Sequence, residues 1–400
     1  MTKLSKHANK ISSNSYFVIG VDFWLMISAV CLISIGIIMV ASSSFAIADQ
    51  YYHDAFYYLK RHVIYISLGI SLSLIVLAMK MDWMQQLSRV LMVVAIILLI
   101  LVLIPQIGVK INGARRWINL GFARFQVVEA VKLAMIVYLA GYIVRHKQGV
   151  QSRFFGVIKP IMLAVVLAFL LLLQPDFGSA VLLMIITLFM VYIAGARYRD
   201  LTILGVMCTS SMAIIAIAEP YRLKRLNTFL NPWKEQYDGG FQLVQALIAI
   251  GRGQFSGVGI GGSVQKLFYL PEAHTDFIFS VYAEEMGFIG VLILILLYAI
   301  FIFRVFAIAK TAYNNGKDFA AYCAAGIGVW IALQAVLSMC VNLGLLPTKG
   351  LTLPFISSGG SAIMMNLLSL AIVIRISYEN RLHNVKAIRK YRKKQAEGVL

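Results

Sequence analysis

The sequence predicts an all-α polytopic membrane protein of about ten transmembrane helices with one large extracytoplasmic loop between spans seven and eight. Three observations carry that expectation. Of 400 residues 60% are hydrophobic, only 13% are charged, and apolar runs of roughly span length recur from end to end. A mean hydropathy of +0.82 leaves too little polar material for an ordinary water-facing surface. At ~20 residues per span, ten helices consume about 200 residues and leave short connections plus one sizeable loop. A soluble enzyme, a nuclear factor and a disordered scaffold are excluded. The net charge of +19 suits basic cytoplasmic loops facing anionic lipid, since no basic soluble module for nucleic acid is present. Cys31, Cys208, Cys323 and Cys340 lie apart in apolar stretches and read as small packing residues, with no disulfide or zinc framework.

The elements follow in order. A polar tail over 1–16, with Lys3, Lys6 and Lys10, precedes an apolar run to Ala46. That run exceeds the roughly 7–15-residue core of a cleaved signal peptide, so it is expected to stay as the first span. Further runs lie at about 63–79, 87–106, 127–144, 160–173, 178–195, 201–218, 277–303, 320–344 and 359–377. One ten-span domain is therefore expected over 17–377, followed by a basic tail over 378–400 that ends in Arg389-Lys390-Tyr391-Arg392-Lys393-Lys394. With the N-terminus inside, the inner connections and tails hold about 22 Lys/Arg and the outer side about 13, which predicts both termini in the cytoplasm. The loop over 219–275 is the one connection large enough to fold over a site. Within it, Asn231-Pro232-Trp233 and Asp238-Gly239-Gly240 read as turns and 241–250 as a short interfacial helix. The glycine-rich stretch 251–263 contains Gly257-Val258-Gly259-Ile260-Gly261-Gly262, but no strand precedes it, so it reads as a close-packed turn rather than a dinucleotide site.

Ionisable groups inside spans are costly and default to functional candidates. Glu129 and Lys132 stand three apart in the fourth span, on one helical face. They could serve a site or simply satisfy each other. Arg115 and Arg116, beside Trp117, offer planar guanidinium forks suited to phosphate oxygens or to lipid headgroups. Gln174-Pro175-Asp176 forms an outer turn whose aspartate could line a site or cap the next helix. Pro271-Glu272-Ala273-His274-Thr275-Asp276 closes the long loop where the chain re-enters the membrane, a position that suits a general base, and Glu284-Glu285 follow. Leu346-Pro347-Thr348-Lys349-Gly350 through Ser357 carries prolines and glycines at membrane depth, which is tolerated only beside a cavity or protein. No zinc, Walker or Ser/His/Asp pattern is present, and no nucleotide or redox cofactor is expected. Outer-face cations and carboxylates in a bundle open to lipid suit a lipid-linked phosphate substrate.

Gly113-Ala114-Arg115-Arg116-Trp117-Ile118, Gln174-Pro175-Asp176-Phe177-Gly178, Pro271 to Phe279 and Gly344 to Ser357 occur in the order found in the SEDS family (shape, elongation, division and sporulation), which the chain resembles from first span to last. Pro271 to Asp276 and Leu346 to Gly350 are closer to the family's division members than to its elongation members. The resemblance implies a glycosyltransferase that polymerises lipid II into β-1,4 glycan strands. An acceptor 4-hydroxyl attacks the donor's anomeric carbon with inversion, and undecaprenyl pyrophosphate leaves. It implies Asp276 as general base, Glu129 and Lys132 as the intramembrane pair near the same cavity, and Arg115 and Arg116 as pyrophosphate contacts. Gln174, Asp176, His274, Lys349 and Ser357 complete the expected substrate contacts. A divalent cation (Mg or Mn) bridging the leaving phosphates is compatible with that reaction but leaves no ligand signature. The implied partners are the class B penicillin-binding transpeptidase FtsI and the divisome proteins FtsQ, FtsL, FtsB and FtsN, at a septal site in the inner membrane. Two positions depart from the family pattern: Val127-Val128 stands where Pro-Ser is usual, and Ser358 replaces a tyrosine beside Ser357. A flippase for the same lipid and a non-catalytic divisome scaffold are the rival expectations.

Overall fold

The computed structural model describes residues 21–111, 113–119, 121, 124–218 and 228–396. The expected N-terminal tail, the start of the large loop at 219–227 and the last four residues lie outside the described residues, and of the basic run 389–394 only the helical backbone is described. The long helices are α1 (Phe23–Tyr52), α2 (Tyr57–Ala78), α3 (Met81–Leu103), α4 (Val127–Arg145), α6 (Phe154–Leu173), α7 (Phe177–Ile193), α8 (Tyr198–Ala218), α10 (Ile278–Asn314), α11 (Asp318–Asn342) and α12 (Gly360–Ala396). A short α5 (Lys147–Ser152) and a loop helix α9 (Phe241–Gly253) intervene. Among the described residues eight helices are long and apolar enough to cross a membrane, so the chain is a multi-pass membrane protein. Helices α7 and α8 fall on the sixth and seventh expected spans, α7 being apolar but only 17 residues long.

Burial sorts the helices into an inside and a rim. Helix α4 is buried nearly all round, from Val127 to Ile143, and packs on α3 and α11. Helix α11 is buried over its first half from Phe319 to Ile331. A helix apolar on every side belongs in a bundle's interior, and these two form it. Helices α2, α3 and α6 instead expose Leu74, Ile75, Val90, Val93, Met162 and Phe169, as lipid-facing spans do.

Two features depart from simple spans. The connection between α3 and α4 folds into a three-stranded antiparallel sheet, β1 (Gly108–Ile111), β2 (Ala114–Asn119) and β3 (Arg124–Gln126), in the order β1-β2-β3. Segments of three to six residues are too short for a period-two signal, and the sequence reading missed them. The second feature is a break in α10 at Gly287, whose φ of 65° and ψ of −168° leave the helix. The glycine-rich stretch docks there. Val258 and Gly259 donate to the carbonyls of Glu284 and Glu285 at 3.0 and 3.1 Å, and Phe288 and Ile289 donate to Gln254 and Phe255 at 2.9 and 3.2 Å. A side chain at Gly257 would stand 2.2 Å from the Glu285 carbonyl, so close backbone approach explains the glycine.

Candidate active site

The site is built where the ends of four segments meet. A tight turn over Glu272–Phe277 brings the chain to α10: Thr275 Oγ1 donates to Glu272 Oε2 at 2.5 Å and the Phe277 amide to the Glu272 carbonyl at 3.1 Å. Asp276 sits two residues ahead of α10 and does not cap it. Asn342 at the end of α11 takes that part instead, accepting from the Ser280 amide at 3.3 Å and from its hydroxyl at 2.8 Å. The same Asn342 donates to the Asp276 carbonyl at 2.9 Å and so fixes its backbone. Among the described residues the Asp276 carboxylate forms no side-chain hydrogen bond and lies against Gly350, where a Cβ would stand 2.8 Å from Oδ2.

Burial, with Glu272 nearby, pushes the Asp276 carboxyl up to about 7, against the opposing pull of Arg116, with Asp176 adding a smaller upward push. A carboxylate with that value is half ionised near neutral pH, where a general base works best. His274, two residues earlier, is buried and packs its ring on Tyr58 at 4.4 Å, and burial lowers its imidazole, which favours the neutral ring.

Arg116 reaches this neighbourhood through a bulge. In the β1–β2 ladder Val109 pairs with Trp117 and Lys110 with Arg115, leaving Arg116 without a partner residue. Its Nε donates to the Gln174 carbonyl at 3.1 Å and Nη2 to the Pro175 carbonyl. Arg115 stays in the ladder beside Lys110, so the two arginines are placed differently and do not form one clamp. Asp176 is the N-cap of α7, accepting from the Ser179 amide at 3.2 Å and its hydroxyl at 2.9 Å. Gln174 is buried and donates to the Leu99 carbonyl at 3.2 Å. Lys349 stands with Nζ 4.4 Å from the Phe177 ring, so the segment 345–359 bridges the start of α7 and Asp276. Ser357 Oγ accepts from the Leu353 amide at 2.7 Å, and the Ser358 amide donates to the His274 carbonyl at 2.9 Å. Ser357 therefore shapes its own loop, and its neighbour ties that loop to the Asp276 turn.

Glu129 and Lys132 lie deeper, between α4 and α11. Their ion pair is 2.8 Å, Lys132 also donates to Gln334 Oε1 at 2.8 Å, and its ammonium lies 5.2 Å from the Trp330 ring centre. Gln334 Nε2 continues to the Thr352 carbonyl at 3.0 Å. The pair thus reaches the 345–359 segment through Gln334. The second oxygen of Glu129 has no partner among the described residues. Glu284 and Glu285, the carboxylates that follow Asp276 on α10, are consumed elsewhere: Glu284 accepts from Ser263 and the Val264 amide at 2.5 and 3.2 Å, Glu285 from Lys266 and Ser42 at 2.9 and 2.7 Å. Sequence reasoning missed Asn342, Gln334 and Lys266, though a buried amide or ammonium near a span was the available signal.

Among the described residues no three His, Cys, Asp or Glu side chains gather into a metal-ligand cluster. The described residues thus offer a divalent cation no such cluster.

A buried carboxylate without a side-chain hydrogen bond, within the electrostatic reach of an arginine and just ahead of a long apolar helix, marks a candidate acid–base site in a polytopic membrane protein. The family model for FtsW, RodA and SpoVE, described as a cell cycle protein, matches residues 23–382, and the chain belongs to that family. It is 47% identical to the probable peptidoglycan glycosyltransferase FtsW of Coxiella burnetii, covering 90% of this chain and 96% of that one. Identity to the corresponding protein of Legionella pneumophila is 46%, covering 90% and 91%. Among solved structures, a chain from a peptidoglycan synthase complex that coordinates polymerization and crosslinking superposes with a TM-score of 0.73 at 27% identity, covering 90% of this chain and 98% of that one. The rod shape determining protein RodA of Thermus thermophilus gives 0.66 at 26%, covering 90% and 97%.

Proposed function

We infer that the chain is a peptidoglycan glycosyltransferase joining lipid II units into β-1,4 glycan strands, with Asp276 as general base. The observation that carries this reading is the Asp276 carboxylate, held by its backbone, claimed by no helix start and raised toward neutrality. The acceptor 4-hydroxyl loses its proton to Asp276 as its oxygen bonds to the donor's anomeric carbon. The bond from that carbon to the pyrophosphate oxygen breaks, the pyrophosphate departs with the electron pair, and the configuration inverts. Arg116 spends Nε and Nη2 on the Gln174–Pro175 turn, which leaves Nη1 for phosphate oxygens. Lys349 is the second candidate cation, and Arg115 with Lys110 makes a basic outer strand pair for headgroup phosphate. Glu129 and Lys132 act on the site by positioning the 345–359 segment. A divalent cation belongs, in this reading, to the substrate's phosphates.

Relatives named FtsW at 46 and 47% identity favour a division role over an elongation one. With it come the septal inner membrane, the transpeptidase FtsI and the FtsQ, FtsL, FtsB and FtsN proteins as partners. The likeness to a chain of a synthase complex supports a transpeptidase partner. The Lys/Arg asymmetry supports ten spans with both termini inside. An external thiol reagent is expected to label a cysteine at position 235 and not one at 148 in intact cells; the opposite pattern overturns that orientation.

The test of function is whether the purified chain, alone or with a class B transpeptidase, converts lipid II into glycan strands in detergent. A flippase draws on the break at Gly287 and the unwound 345–359 segment. It would move labelled lipid II across vesicles with Asp276→Asn as well as without it, while making no strands.

A further inference from the structure

Helix α1 has 30 residues, about 45 Å at 1.5 Å each, against a hydrocarbon core of roughly 30 Å. Its last turns lie beside the Glu272–Phe277 turn. There the end of α1, the start of α2 and that turn line an open groove of about 460 Å³, a volume within the range of small-ligand sites. Its walls include Tyr51, Tyr52, Tyr58, Pro271, Glu272 and His274.

The tyrosines are organised. Tyr52 stacks on Tyr57 at 3.8 Å with planes 9° apart, and Tyr58 stands edge-on to both at 5.7 and 5.4 Å. Tyr51, by contrast, is 70% exposed at the rim. His274 is only 8% exposed, yet its Nδ1 has no hydrogen-bond partner among the described residues. A buried ring nitrogen without a partner is costly unless a ligand or water supplies one. Among the described residues the lining holds one carboxylate and no Lys or Arg, a charge that disfavours a pyrophosphate. Aromatic faces offer instead a surface for the C–H faces of pyranose rings, and imidazole, carboxylate and phenol groups serve hydroxyl and acetamido groups. Glu272 and His274 lie four and two residues before Asp276 in one turn, which sets the groove next to the candidate base.

We propose that this pocket is a saccharide subsite that holds uncharged β-1,4-linked acetamido-sugar units of the strand under construction, apart from the reacting pyrophosphate. The proposal rests on the glycosyltransferase reading for which sugar arrives, and on the pocket itself for sugar binding. The occupant is the strand rather than the lipid-linked monomer, because the described lining pairs aromatic faces with a carboxylate and includes no Lys or Arg for a phosphate. Subsites of this kind keep a product bound between additions, so the pocket sets strand length more than the rate of the first coupling.

Chitotetraose is the probe for binding, read by saturation-transfer NMR on the detergent-solubilised full chain. Wild type and Asp276→Asn are expected to bind alike, while Tyr51→Ala and Tyr52→Ala weaken binding on the order of tenfold, as loss of one aromatic face does. With lipid II, the same tyrosine variants should form the first coupled product at the wild-type rate and yield strands several-fold shorter. Tyr51 is the safer variant, because its ring is the most exposed of the set, and an unchanged melting temperature certifies its fold. No tetrasaccharide binding by wild type, or wild-type binding and strand length in both variants, overturns the proposal. Loss of the first coupling in a folded Tyr51→Ala overturns the strand assignment in favour of the lipid-linked monomer. Tetrasaccharide binding that the tyrosine variants lose, in a protein that never couples lipid II, upholds the pocket and refutes the glycosyltransferase reading.

Discussion

Asp176 and Asp276 stand at the starts of two helices, and the fold uses them in opposite ways. The first α7 turn claims the Asp176 carboxylate through the Ser179 amide and hydroxyl. At α10 the equivalent donors go to Asn342, a side chain from another helix, and the Asp276 carboxylate is left unspent beside Gly350. Orphan amides at a helix start need an acceptor, and whichever acceptor supplies it is removed from chemistry. The comparison teaches that residue type and position do not separate a capping aspartate from a reactive one. The partner that caps in its place does.

That contrast can be broken by substitution, most severely at Asp276. Asp276→Asn keeps the shape but takes no proton, and is expected to lower lipid II polymerisation by about 10²–10⁴-fold while the protein stays folded and binds lipid II. Near-normal strands from this variant would return the base to Glu272. Lys132→Ala comes next. It leaves Glu129 as an uncompensated buried charge and strips Gln334 of a partner, so a stability loss of about 3–5 kcal/mol is expected, read as a fall in melting temperature with lost activity. Glu129→Gln with Lys132→Met should recover much of the stability; if neither single variant is destabilised, the pair is not a structural link. Asp176→Asn is the mildest. It weakens a cap worth about 0.5–2 kcal/mol and should move the melting temperature while leaving the rate of coupling within a few-fold. A loss of activity matching that of Asp276→Asn, without destabilisation, would erase the distinction between the two.

Much of this was legible in the chain. The membrane class and nearly all span positions followed from apolar runs, because burial in lipid leaves a long, strong signal. Asp276 stood out because a carboxylate at a membrane re-entry point is expensive. The sheet over 108–126 was not legible, since its strands are too short for periodicity to register. Nor were the roles of Glu284 and Glu285, whose partners Ser263, Lys266 and Ser42 come from as far as 243 residues away. The Arg115–Arg116 pair looked like one clamp in sequence, and only the bulge in β2 separates them. That Asp276 does not cap α10 turned on Asn342, 66 residues further along the chain.

The most direct test of an unspent, poised carboxylate is the pH dependence of single-turnover lipid II coupling. A base must be ionised to act, and burial holds the Asp276 carboxyl at about 7. The rate should therefore rise about tenfold per unit below that value and level off above it. Asp176→Asn should leave the midpoint nearly in place, shifting it only slightly down because it removes a weak upward push. A rate already flat from pH 5 to 8, or one that falls across that range, would contradict the assignment of Asp276 as the base.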